Sequence, residues 1–182
     1  MILGRSEIIE RSKHGLVGDL ISDVQIQQAG VDLTVGKVFR LTGKGVLDFD
    51  NSRRELCKYE EIEPEDGRWD LKPGTYHCAM NETIEIPLDL CGLLLPRSSS
   101  LACGMEIHSA LWDPGYKGRS FMHTVVTRDV TIYRNARIAQ MVFMPVIGEA
   151  SRYQGSYLDE DVLTHGARGT QTTLPGGSDS EG

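Results

Sequence analysis

The stretch FMHTVVTRDVTIYRNARIAQMVFMPV, residues 121–146, decides the fold class. It divides into three strand-sized runs, 121–126, 131–133 and 138–146, with Asn135 marking the break before the last. In that last run Arg137, Ala139, Met141 and Phe143 share one face of an extended chain, and Ile138, Gln140 and Val142 share the other. Gln140 therefore sits among apolar neighbours and needs a hydrogen-bond partner; a backbone group is the default expectation and a ligand phosphate the alternative. Outward from here the pattern continues, with strands expected at 31–35, 38–41, 74–80, 83–86 and 91–95. Gly43, Gly45, Pro73 with Gly74, Asn81, Pro87, Pro96 and Pro114 with Gly115 punctuate them. Near the N-terminus a short helix is expected, where Ser6 is the expected cap, Glu7 favours the first turn, and Ile8, Ile9 and Arg11 follow before Gly15. Many short strands at near-regular spacing predict an all-β chain, folded as a sandwich, jelly roll or barrel.

Composition sets the outer bounds. The chain has 182 residues and a net charge of 19 − 26 = −7, with 40% hydrophobic and 25% charged residues. That suits one globular domain able to bury a core without disulfides. No apolar run approaches the roughly 20 residues that a membrane-spanning helix needs, and the first residues lack a signal-peptide pattern. The expectation is a cytoplasmic protein with no membrane partner. The acidic balance argues against coating nucleic acid, yet a single triphosphate needs only a few local donors and brings its own metal ion. Cys57, Cys78, Cys91 and Cys103 form no CxxC pair, so they read as reduced, mostly buried thiols rather than zinc ligands. The acidic segment 60–70 reads as a solvated loop. Residues 1–165 are expected to form the folded β domain, and the Gly-rich acidic residues 166–182 a flexible tail.

Four segments carry the chemistry. In the first, Gln28-Ala29-Gly30-Val31-Asp32-Leu33, strand alternation turns Asp32 away from Val31 and Leu33. It then faces polar surroundings or has a buried partner, as a structural acceptor or a site residue. In the second, Leu94-Leu95-Pro96-Arg97-Ser98-Ser99-Ser100, an apolar strand stops at Pro96 and releases a guanidinium and three hydroxyls. These make an anion pocket or a polar cap for a helix around 101–104. In the third, residues 110–119, Pro114-Gly115 forces a tight turn that brings Asp113 and Tyr116 together. Asp113 could orient a water as general base and Tyr116 could wall a sugar or base. The fourth is the stretch from Asn135 to Phe143, with Arg137 and Gln140.

In this order and spacing the four segments resemble the motifs of the dUTP diphosphatase and dCTP deaminase superfamily, over most of the chain. Residues 109–119 most resemble the archaeal-type dUTPases. The resemblance implies a distorted jelly-roll-like β-barrel with a short N-terminal helix, assembled as a homotrimer with active sites at subunit boundaries. It implies dUTP as substrate, Mg²⁺ as cofactor, and hydrolysis to dUMP and pyrophosphate. It further implies that Asp113 holds the attacking water, and that Tyr116 underlies the deoxyribose and excludes a ribose hydroxyl. Uracil would pair with the backbone of Ser109, Ala110 and Leu111. Arg97, Ser98, Ser99 and Gln140 would bind phosphate. Asp32 and Arg137 would brace the site, with Asp32 touching the metal only through water.

The deaminase branch uses a Glu, an Arg and a Ser; the Glu falls at His123 here and the Arg at Ala102, while the Ser remains at Ser98 or Ser99. His123 itself reads as a surface strand residue. A dCTP deaminase, a bifunctional enzyme making dUMP from dCTP, and a non-catalytic nucleotide-binding relative are the alternatives. The Phe-containing closing arm of most trimeric dUTPases has no counterpart in the tail, where Arg168 is the one candidate to reach a triphosphate.

Overall fold

The computed structural model describes residues 1–164. The expected tail, with Arg168, lies outside the described residues. Two short helices and thirteen strands follow in this order: α1 (Arg5–Ser12), β1 (Val17–Gly18), β2 (Val31–Thr42), β3 (Lys58–Ile62), β4 (Arg68–Leu71), β5 (Gly74–Met80), β6 (Thr83–Glu85), β7 (Leu90–Pro96), α2 (Ser98–Ala102), β8 (Met105–His108), β9 (Lys117–Arg119), β10 (Phe121–Val126), β11 (Val130–Tyr133), β12 (Arg137–Pro145) and β13 (Glu160–Asp161). A 3-10 turn, Asp23–Gln25, precedes β2.

The principal sheet runs β7-β12-β2-β5-β10-β8, with β3 also paired to β2. It curls until its two ends meet: Gly92 of β7 bridges Trp112, beyond β8, and Leu94 N–H donates to Ser109 Oγ at 3.3 Å. The nearly closed barrel answers the edge problem, since a strand paired on both sides offers no ladder to another chain. A second sheet, β1-β6-β9-β13, and a β4-β11 ribbon complete the subunit.

Burial follows the period of two. Val31, Leu33 and Val35 of β2 enter the apolar core with Met141 and Phe143 of β12, all fully buried. Removing such side chains from water contributes about 1.5–3 kcal/mol each. Asp32 and Thr34 point the other way. Gly30 is fixed by proximity rather than by turn geometry: a Cβ there would lie 2.6 Å from the Met141 carbonyl and 2.9 Å from Gln140 Cγ. Only a residue without a side chain lets β2 start so close to β12.

Several expectations need correction. Segments 31–35 and 38–41 are one strand, β2, with a register shift between Val35 and Lys37; Gly36 marks a bulge, not a break. The N-cap of α1 is Gly4, and no side chain caps it; Ser6 already lies inside the helix. The acidic segment 60–70 is not a plain loop, because β3 and β4 both enter it. Its charges ride the outward face, while Trp69 and Leu71 turn inward and are buried. Of the four free thiols only Cys78 is buried; Cys57 and Cys91 are half-buried and Cys103 is exposed.

Candidate active site

Two clusters gather the sequence-selected residues, with Asp113 of the first and Arg97 of the second at opposite ends of β7. The first is built on the loop between β8 and β9. There Tyr116 N–H donates to the Asp113 carbonyl at 3.1 Å, closing a turn in which Gly115 adopts φ +81°, a region that favours glycine. A Cβ on Gly115 would also lie 2.7 Å from Arg152. The turn faces a cavity of about 420 Å³ lined by Ser109, Ala110, Leu111, Asp113 and Tyr116, among others. Asp113 is exposed, while Tyr116 is buried edge-on to Trp112 with ring centroids 5.0 Å apart. Burial, and then the charge of Glu160, push the Tyr116 phenol far above its ordinary range, so it acts as a neutral wall.

The rest of the cavity wall was not legible in the sequence. Tyr59 of β3 stacks on Phe121 of β10 at 5.3 Å and 9°, and Tyr153 packs edge-on to Tyr116 at 5.8 Å. His123 is half-buried rather than plainly on the surface: alternation along β10 aims it, with Phe121, into this cavity. It stands between His77 and His108 in register across three strands. His77 Nε2 lies 3.0 Å from His123 Nδ1. Burial and the neighbouring ring push His77 down to about 4, and burial with His108 lowers His123; both are neutral near pH 7. Apart from the period of two, no local pattern announces this row, because its members come from three separate strands.

The second cluster sits where β7 ends. Asp32, 1% exposed, receives Arg97 Nε at 3.1 Å, Arg137 Nη1 at 3.3 Å and Gln140 Nε2 at 3.4 Å. Gln140 thus bonds a carboxylate rather than the expected backbone group, because the β12–β2 register sets it opposite Asp32. Burial pushes the Asp32 carboxyl above the usual range, and the two half-exposed guanidiniums draw it back only in part. Arg97 Nη1 also holds the Arg137 carbonyl at 2.9 Å, and Ser100 Oγ holds that of Ile138 at 2.6 Å. Ser98 and Ser99 remain exposed on the first turn of α2. The cluster therefore presents hydroxyls, two guanidiniums and an amide to one side, a set suited to an anion.

Beneath Asp32 runs a buried polar network the sequence did not disclose. Glu82, fully buried, accepts from Gln25 Nε2 at 2.6 Å, Thr34 Oγ1 at 2.6 Å and Thr34 N–H at 3.0 Å. Gln25 also donates to the Asp32 carbonyl at 2.9 Å. Gln25, strand β2 with Asp32 and Thr34, and Glu82 are three separate segments, so only the fold assembles them.

The donors test what cation the site suits. Among the described residues no three His, Cys, Asp or Glu side chains converge as a metal cage. The Asp32 oxygens are engaged by Arg97, Arg137 and Gln140. Such a set fits a hydrated Mg²⁺ carried on phosphate oxygens, which keeps several waters and needs no protein cage.

The Gly92–Trp112 bridge sets Asp113 near the start of β7, whereas Arg97 follows its end. At roughly 3.3 Å per residue Asp113 and Arg97 stand about 20 Å apart along β7, with Ser109 between them beside Leu94.

Comparison with known proteins meets this geometry from outside. The dCTP deaminase-like family matches residues 2–146. A probable deoxyuridine 5′-triphosphate nucleotidohydrolase of Archaeoglobus fulgidus is 42% identical over 153 residues, covering 82% of this chain and 90% of the relative. The deoxyuridine 5′-triphosphate nucleotidohydrolase of Methanocaldococcus jannaschii is 41% identical over 141 residues, covering 76% and 90%. Among solved structures, the 2′-deoxycytidine 5′-triphosphate deaminase of Agrobacterium tumefaciens superposes with a TM-score of 0.61 at 21% identity. That match covers 78% of this chain but only 47% of the deaminase chain, and it bears on the fold alone. Since the family match takes in all four motif segments and the curated relatives are similar across nearly their whole length, the chain belongs to the dCTP deaminase-like family and groups there with the archaeal-type dUTPases.

Proposed function

We propose that this chain hydrolyses dUTP to dUMP and pyrophosphate, as a cytoplasmic homotrimer whose sites are shared between copies. The observation that carries the reading is the cavity beside the 109–116 turn, which has the size and lining for a pyrimidine deoxynucleoside and an exposed carboxylate at hand. The names of the archaeal relatives agree with it.

In this mechanism the base enters among the aromatic side chains and its edge meets the backbone of Ser109, Ala110 and Leu111. The buried face of Tyr116 packs on the sugar and leaves no room for a 2′-hydroxyl. Asp113 accepts a proton from the water that attacks the α-phosphorus; the bond from that phosphorus to the bridging oxygen breaks, and pyrophosphate leaves with the electron pair. Ser98, Ser99, Gln140 and the Arg97–Asp32–Arg137 group hold the phosphates. Bound Mg²⁺ would neutralise phosphate charge that an acidic protein could not otherwise accept.

The separation of about 20 Å between Asp113 and Arg97 along β7 supports sharing, because the base that activates the water and the guanidinium that holds the phosphates must both reach one triphosphate. A second copy that brings its Ser98–Gln140 face to the first copy's cavity completes the site. The test is pyrophosphate release from dUTP, dCTP, dTTP and UTP with and without Mg²⁺. Release from dUTP far above that from the other three is expected; ammonia release from dCTP would favour the deaminase alternative.

A further inference from the structure

We propose that His123, held in a single tautomer by His77, selects pyrimidines that carry a carbonyl at C4 over those that carry an amino group. The proposal rests on the cavity being the base pocket and adds a side-chain reader to it.

His77 and His123 share one hydrogen bond, between Nε2 of the first and Nδ1 of the second, and only one of these nitrogens carries its proton. The remaining nitrogen of His77, Nδ1, is buried without a hydrogen-bond partner among the described residues. If His123 were the donor, neutral His77 would have to keep its proton on this orphaned Nδ1. A buried N–H with nothing to meet is a rarer and costlier arrangement than a bare lone pair. The proton therefore lies on His77 Nε2 and points at His123 Nδ1. Neutral His123 must then carry its own proton on Nε2, the nitrogen left to it on a side chain that lines the cavity.

The rings of Tyr59 and Phe121 fix His77 from the sides, with centroids 5.1 and 5.2 Å away. His108, the other register neighbour, is 6.4 Å from the His123 ring and lies near Glu106. His123 thus presents one oriented N–H donor. A C4 carbonyl satisfies it; a C4 amino group sets donor against donor and leaves both unpaired.

The experiment has two arms on the full chain. Long-range ¹H–¹⁵N correlation of the histidine rings reads the tautomers directly. Nε2–H on both His77 and His123 is expected, and Nδ1–H on His123 would overturn the proposal. In the second arm, the preference for dUTP over dCTP in kcat/KM is measured for the wild type, His123→Leu, His123→Gln and His77→Leu. His123→Leu is expected to lower the preference about tenfold, His123→Gln to retain most of it through its amide donor, and His77→Leu to fall between. An unchanged preference in His123→Leu, with turnover of dUTP intact, overturns the proposal and spares the hydrolase reading. If the wild type does not turn over dUTP, the hydrolase reading fails, and calorimetric binding of dUMP against dCMP to the same proteins decides the role of His123 in the same way.

Discussion

Arg97 Nε lies 3.1 Å from Asp32 Oδ2, joining the residue after β7 to the second residue of β2, with β12 between those strands. The carboxylate is buried and the guanidinium is not. Asp32→Ala removes the counter-charge of Arg97 and Arg137 and the acceptor of Gln140 together. A loss of about 2–3 kcal/mol in unfolding free energy is expected, less than for a fully enclosed pair because both arginines can turn to water. Urea denaturation measures it, and a loss under about 0.5 kcal/mol would mean the pair is decorative.

Asp113→Asn keeps the shape of the turn and removes the base. The expected outcome is a fall in kcat of about 10²–10⁴ with nucleotide affinity little changed. Pyrophosphate release and calorimetry with dUMP together separate the two effects. Unimpaired turnover would move the general base elsewhere.

Site sharing is open to complementation. Asp113→Asn and Gln140→Ala each disable one of the two clusters. Co-expressed and co-purified, the pair should regain activity at about a quarter of sites, where an intact 109–116 turn meets an intact phosphate cluster from another copy. Mixtures no more active than the two single variants would place both clusters in one copy's site.

Acid should loosen the aromatic wall. His77 titrates at about 4 in the folded chain against an ordinary 6.5, because burial and His123 disfavour its charge. The unfolded chain therefore binds more protons between these values, so the stability contributed by neutral His77 is complete above pH 6.5 and declines as pH falls towards 4. The loss approaches about 3 kcal/mol. His123, also lowered, adds in the same direction. Denaturation curves across this window check it, and His77→Phe should flatten the decline.

Glu82→Leu strands Thr34 and Gln25, whose amide and hydroxyl groups have no water to turn to. A cost of about 3 kcal/mol or more is expected from thermal or urea unfolding. Glu82→Gln, which keeps the one oxygen that accepts from Gln25 and Thr34 Oγ1, should cost less.

The sequence by itself determined the period: alternation and turn residues are local, so the strands at 74–80 and 121–126 and the ordered motifs around Asp32, Arg97, Asp113 and Gln140 could be read without a fold. It could not show that Gln140 meets Asp32, that Glu82 anchors the Asp32 backbone through Gln25, or that His77, His123 and His108 form one row. Register between strands far apart in the chain decides those contacts, and a single-residue slip would reverse every face. The acidic segment misled for the same reason, since its charges are exposed whether the backbone is a loop or pairs with β2 and β11. Tertiary structure alone also separated Asp113 from Arg97 along β7, because barrel closure at Gly92 and Trp112 sets that distance.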